Sequence, residues 1–267
     1  MAGRERNIEV CKLGFRDCAQ FFPIAKRNPL SHASDVKKRA AASPKPFRPS
    51  RVLVIDVGGT NVKLWLSGSA ETNAKFSSGA TITPQQVVAE TKKLTADWPY
   101  EAVTIGVPGP VKDGHLTRAP KNLGKGWLGF DFTTSFDRPV RIINDAALQA
   151  LAATEPGRVL FLGLGTGLGS AMLVDGHVVP LELSELRIAP GRTLEDRLGK
   201  RGLKTLGRRR WELSVHEHVA ILRKAFVTDV IVVGGGNAKK LKKIPSGARL
   251  GENSDVIKGG LRLWHAP

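Results

Sequence analysis

Residues 52–68 read VLVIDVGGTNVKLWLSG, and their organisation decides the fold class. VLVID is a short apolar run rich in β-branched residues. It leads into the glycine turn GGTN, and VKLWLSG then alternates as a strand folded back on the first one does. The unit recurs 107 residues later. There, VLFLGLGTGLGSAMLVDG at 159–176 aligns Val52-Leu53 with Val159-Leu160 and Gly58 with Gly165. A strand, glycine turn and second strand opening each half of a chain predict two related lobes facing one cleft.

The segments between and after these units read as α/β. Thr83 to Trp98 starts on Thr-Pro and spaces Val87, Val88, Thr91 and Leu94 as a helix would. AVTIGVPGPV is a buried strand ending at Gly106 and running into a rigid loop. VRIINDAALQALAA is a strand ending at Asn144-Asp145, followed by a helix of small residues. That polar pair sits at a strand-to-helix junction, where open α/β sheets meet their ligands. A helical stretch from about Trp211 to Phe226 precedes a third glycine turn, VIVVGGGN at 230–237, and DVIKGGLRLW at 255–264 closes the chain as a helix. The expected division is a basic extension over 1–50, an N-terminal lobe over 51–145 and a C-terminal lobe over 146–267, with the last helix packing back on the first lobe.

Of the 267 residues, 41% are hydrophobic and 24% charged, which excludes a wholly disordered or fibrous chain. The net charge of +17 favours a polyanionic ligand. Residues 1–50 hold 11 basic against 4 acidic residues and end in AAASPKPFRPS, a composition expected of a flexible extension. Only Cys11 and Cys18 are present, both before the first strand, so a disulfide framework and a Cys-rich structural zinc site are not expected. No apolar run is long enough to cross a membrane. These features predict a cytoplasmic setting without membrane contact.

Phosphate oxygens approach backbone N–H groups closely only where Cβ atoms are missing, as in glycine turns after strands. The P-loop pattern G-x-x-x-x-G-K-[ST] is absent, and 163–169 reads G-L-G-T-G-L-G, not the dinucleotide pattern G-x-G-x-x-G. The distinctive turn is Asp56-Val57-Gly58-Gly59-Thr60-Asn61, with Lys63 beyond it. A carboxylate at a strand end, beside a hydroxyl and glycine amides, can hold Mg²⁺ directly or through water while the turn holds phosphate. Gly165, Thr166 and Gly167, and then Gly234, Gly235 and Gly236, are the corresponding phosphate- or nucleotide-binding candidates. For Asn144-Asp145 two readings stand: a helix N-cap, or a general base beside its substrate.

Taken together, D-V-G-G-T-N-V-K, P-G-P-V-x-D-G, N-L-x-x-x-W, I-N-D-A, L-G-T-G-L-G-x-A and V-V-G-G-G resemble the ROK sugar kinases over roughly 52–264, and among them the polyphosphate glucokinases. The resemblance implies an actin-like ATPase (ribonuclease H-like) α/β fold, a hexose in the interlobe cleft, and phosphoryl transfer to the sugar 6-hydroxyl. It makes Asp145 the general base and assigns Asn144, Asn122, Glu182, Glu185 and Glu195 to the sugar. It also departs from the family here. Ser184 and Glu185 stand where the family's E-x-G-H motif has Gly and His, so Glu185 replaces an imidazole that contacts the sugar.

GKRGLKTLGRRR at 199–210 holds six basic residues and no acid, and Lys239, Lys240, Lys242 and Lys243 follow the third glycine turn. A basic track beside a phosphate-transfer cleft favours polyphosphate as donor. The resemblance places VVGGGN where adenosine is met, so ATP stays open. Two rivals keep the fold and change the chemistry: a sugar-binding sensor without turnover, and a DNA-binding repressor. The repressor is disfavoured because nothing before Pro49 reads as paired helices, so nucleic acid is not an expected partner. His216-Glu217-His218 reads as a solvated helix face, and a homodimer is left open by the resemblance.

Overall fold

The computed structural model describes residues 47–252 and 254–265. The expected flexible extension falls almost wholly on 1–46, outside the described residues. The strands and helices, in chain order, begin with β1 (Val52–Val57), β2 (Asn61–Leu66), β3 (Ser69–Ser77), α1 (Pro84–Leu94), β4 (Ala102–Val107), β5 (Val111–Lys112), β6 (His115–Leu116), β7 (Val140–Asn144) and α2 (Asp145–Ala150). The second half contributes β8 (Arg158–Leu164), β9 (Leu168–Val174), β10 (His177–Leu181), β11 (Arg187–Ala189), β12 (Arg192–Thr193), α3 (Leu194–Leu198), α4 (Lys200–Ala225), β13 (Val230–Gly234), β14 (Ala248–Leu250) and α5 (Asp255–Arg262).

The repeat seen in sequence is a repeat of topology. One five-stranded sheet has the order β3-β2-β1-β4-β7 and the other β10-β9-β8-β13-β14. In each, the opening strand pairs antiparallel with the strand after its glycine turn and parallel with the next strand in. This duplicated sheet is the two-lobed actin-like ATPase arrangement. Side-chain alternation then sorts the core. Val52 and Val54 point to one face of the first sheet, and Leu53, Ile55 and Val57 to the other. Val159 and Phe161 join the side of Val52, while Leu160, Leu162 and Leu164 face α3 and α4.

The face shared by both lobes is filled by α2. Ala146, Ala147, Leu148, Ala150 and Leu151 pack against Val52, Val54, Val159 and Phe161 in one buried cluster. Small residues let the helix lie close to both sheets. The closing helix α5 joins the same cluster through Val256, and Trp264 just beyond it donates its indole N–H to Thr104 Oγ1 at 2.9 Å. Gly260 O accepts from that Thr104 hydroxyl at 2.9 Å, which ties the chain end to β4.

Helix boundaries differ from the sequence expectations in four places, the mildest being α5, which ends at Arg262 and not at Trp264. α1 ends at Leu94, before Trp98, and its start is a capping box in which Thr83 and Gln86 satisfy each other's backbone N–H groups. α2 is six residues long and ends at Ala150, three residues before the end of the small-residue stretch. The helix expected from Trp211 begins at Lys200 and is kinked at Gly207, where φ is 71° and ψ 160°. Its first segment is so rich in Lys and Arg that the apolar spacing of Leu203 and Leu206 does not register as a helical stripe.

Candidate active site

A cavity of about 1000 Å³ opens between the lobes. Its walls bring together Asp56, Gly58, Gly59, Thr60, Asn61 and Lys63 from the first turn, and Gly165, Thr166 and Gly167 from the second. Gly234, Gly235 and Gly236 come from the third. Asn122, Asn144, Asp145, Glu182 and Glu195 line it as well. Glu185 does not: its carboxylate lies at the rim and accepts from Lys121 Nζ at 2.8 Å.

Each turn is shaped by its backbone. Gly58 N–H donates to Asn61 O at 3.0 Å, and a Cβ on Gly58 would meet that oxygen at 2.9 Å. The second and third turns interlock. Asn237 donates its backbone N–H to Leu164 O at 2.8 Å and its side-chain N–H to Gly165 O at 2.9 Å. Gly235 has φ of 81° and comes so close to Leu164 that a Cβ would lie 2.7 Å from its carbonyl, so only glycine fits. Glu195, at the start of α3, accepts from Leu168 N–H at 3.1 Å and so braces the second turn.

The two readings of Asn144-Asp145 divide between the residues. Asn144 is the cap: its Oδ1 accepts from Ala146 and Ala147 N–H, both at 3.0 Å, and its amide donates to Gly109 O at 3.0 Å. The cap engages the amide oxygen, while Asn144 still lines the cavity and its amide nitrogen carries a second N–H beyond the one given to Gly109 O. Asp145 is left facing the cavity. One oxygen accepts from Ala146 N–H at 2.9 Å. Burial, reinforced by the negative charge of Asp56, pushes its carboxyl up to about 7. Asp56 is also held above the usual carboxylate range by burial, opposed by Lys63, its cross-strand neighbour.

The cavity also holds basic side chains outside the glycine turns. Arg118 and Lys121 enter from the loop after β6, while Lys200, Lys239 and Lys240 gather beside the second and third turns. Arg208 Nε donates to Lys240 O at 2.8 Å, which places the basic start of α4 against that same rim. The charge of the 199–210 run and of the lysines after the third glycine turn signalled the latter group; nothing local signalled Arg118 or Lys121. Trp127 is a core anchor, buried and donating to Ile82 O at 3.2 Å. His216 and His218 bond to Lys243 O and Ser214 O, and among the described residues no group of three or more His, Cys, Asp or Glu side chains is clustered as for a metal ion.

Comparisons with known proteins agree with this architecture. Residues 52–180 match the ROK family model. The polyphosphate glucokinase of Mycobacterium tuberculosis is 26% identical over 210 residues, covering 71% of this chain and 78% of the relative. The structure of inorganic polyphosphate/ATP-glucomannokinase from Arthrobacter sp. strain KM superposes with a TM-score of 0.70 at 25% identity, covering 82% of this chain and 99% of that one. A ROK family glucokinase from Streptomyces griseus, solved with glucose and AMPPNP, shares the fold with a TM-score of 0.65 at 17% identity, covering 80% and 98%. With the duplicated sheets, the interlocked turns and the matching family model, the chain carries a ROK family domain.

Proposed function

We propose that this chain is a hexose kinase that transfers a phosphoryl group from polyphosphate or ATP to the 6-hydroxyl of glucose or a closely related hexose. The observation that carries the reading is Asp145: a carboxylate in the cleft, at a helix start, poised near neutral pH, with all three glycine turns converging on the same cavity. Relatives named polyphosphate glucokinase and polyphosphate/ATP-glucomannokinase support it from outside the chain.

The chemistry asks for few parts. As the sugar oxygen attacks the terminal phosphorus, the O–P bond forms, the bond to the leaving phosphate chain breaks, and Asp145 takes the hydroxyl proton. Such a base is worth about 10²–10⁴ in rate. The glycine amides and Thr60 would hold phosphate oxygens, and Lys200, Lys239 and Lys240 would neutralise the donor chain. Glu182, Glu195 and Asn122 would grip the sugar hydroxyls.

Asp56 fits Mg²⁺. Its carboxylate lines the cavity and is driven above its usual range by burial, a cost that a bound cation would relieve. Mg²⁺ commonly takes one or two carboxylates and completes its shell with water and phosphate oxygens, and Asp56 supplies such a ligand, directly or through water. When bound, the ion would neutralise charge on the transferred group.

The test is formation of a sugar 6-phosphate from glucose by the full chain with Mg²⁺ and either donor. Product with polyphosphate supports a role for the basic rim, product with ATP alone removes it, and hexose binding without product from any hexose overturns the kinase reading in favour of a sensor.

A further inference from the structure

Glu182, the carboxylate given to the sugar, is held from the opposite lobe. Its Oε2 accepts from Arg118 Nη2 at 3.0 Å and from Ser184 Oγ at 3.3 Å. Among the described residues no protein donor reaches Oε1, which is left to accept from a ligand hydroxyl. Beside this pair, Lys121 Nζ donates to Glu185 Oε1 at 2.8 Å, and Arg118 Nη1 lies 3.8 Å from the same oxygen. The bond raises the Lys121 ammonium and lowers the Glu185 carboxyl, so both stay charged at neutral pH.

The loop that carries the two cations is fixed at its base. Thr117 donates from both its backbone N–H and its hydroxyl to Pro110 O, at 3.0 and 3.2 Å. The neighbouring Gly109 O is held by the Asn144 amide, so the loop is tied to the same helix start that presents Asp145.

These side chains are about half exposed, and ion pairs of that kind add little to stability. Their value lies in geometry: a carboxylate held by a guanidinium in one orientation needs no further ordering when a sugar arrives. We propose that Arg118 is a positioning residue for sugar binding, presenting Glu182 Oε1 to the cleft, and that the Lys121–Glu185 pair holds the Arg118 loop in register across the cleft. The imidazole that Glu185 replaces is thus exchanged for a cross-cleft clasp, and the sugar grip is complete only when the lobes are together. The proposal rests on the kinase reading for its ligand but not for its measurement.

The experiment titrates glucose and mannose into the full chain by calorimetry, and measures KM and kcat for whichever sugar is turned over. Arg118→Met is expected to weaken sugar binding about tenfold, with kcat within about threefold and the donor KM unchanged. Arg118→Lys restores part of the loss, because an ammonium still reaches one oxygen but without the planar fork. Lys121→Met and Glu185→Gln each weaken binding by a factor of a few, and their double variant is no worse than either alone. Raising the salt weakens wild-type binding and leaves Arg118→Met unaffected. Sugar affinity unchanged in Arg118→Met, or lost together with kcat and donor KM, overturns the clasp. Wild-type binding with no product sinks the kinase reading and leaves the clasp to be judged on the dissociation constants. A wild type that binds neither sugar overturns it.

Discussion

Replacing Asp145 with Asn separates the energetic burden of the buried carboxylate from the role proposed for it. The native carboxyl titrates at about 7 against an unfolded value of 3.8. At about 1.4 kcal/mol per pH unit, holding it ionised above neutral pH costs the folded state up to roughly 4 kcal/mol. Asp145 keeps some solvent contact through the open cleft, and screening brings that to about 2 kcal/mol. The sign follows from the raised native value. The native protein keeps the proton through the window between 3.8 and about 7, so this group's contribution is most favourable below that window and is lost as pH rises through it.

Asn stays neutral throughout and its side-chain oxygen can still accept from Ala146 N–H. The variant should therefore melt about 4–8 °C above wild type at pH 8 without Mg²⁺, by the usual sensitivity of a domain this size. The gap should close as pH falls toward 4. Turnover at pH 8 should drop at least about 100-fold. Thermal unfolding scans at pH 8 and pH 4.5, with sugar-phosphate assays on the same preparations, measure both arms. A variant no more stable than wild type at pH 8 refutes the desolvated carboxylate, and one that loses less than about tenfold in turnover refutes its role as base.

Two other substitutions test the fold and the donor side separately. Gly259→Ala places a methyl against the Leu148 carbonyl where α5 crosses α2; it should cost roughly 3 kcal/mol, read as a lower denaturant midpoint with an unchanged slope. The Lys239→Gln/Lys240→Gln double variant should raise the KM for polyphosphate about tenfold at low salt and leave the sugar KM unchanged, with the difference shrinking as salt is added. An equal effect on both substrates would detach those lysines from the donor.

What could be read from sequence alone was what the chain settles locally. The short apolar runs at 52–57 and 159–164, the glycine turns behind them and the Asn144-Asp145 junction each announce themselves within a few residues, and the turns and the junction meet in the cleft. What stayed hidden depends on distance along the chain. Arg118 and Glu182 are 64 residues apart, so neither one's neighbours hint at the pairing. Glu185 was assigned to the sugar by its place in a motif, and Lys121, from the other lobe, holds it at the rim instead. The Asn144-Asp145 pair reads as cap or base from sequence because either residue type can cap a helix; the positions of Ala146 and Ala147 show that Asn144 is the cap. The Lys200–Leu206 helical turn went unread because charge masks its sparse apolar spacing, and the Gly207 kink hid its continuity with Trp211.

The packing of α2 has a mechanical consequence. The helix belongs to the buried cluster of both sheets at once, and Asp145 is its first residue. For any rotation of one lobe against the other, this shared helix lies near the axle, and points near an axle travel least. The rims, where Arg118 faces Glu182, lie farthest from it and would swing through the largest arc. A rotation of that kind would leave Asp145 almost stationary while the cleft rims moved, so opening the cleft would not displace this carboxylate.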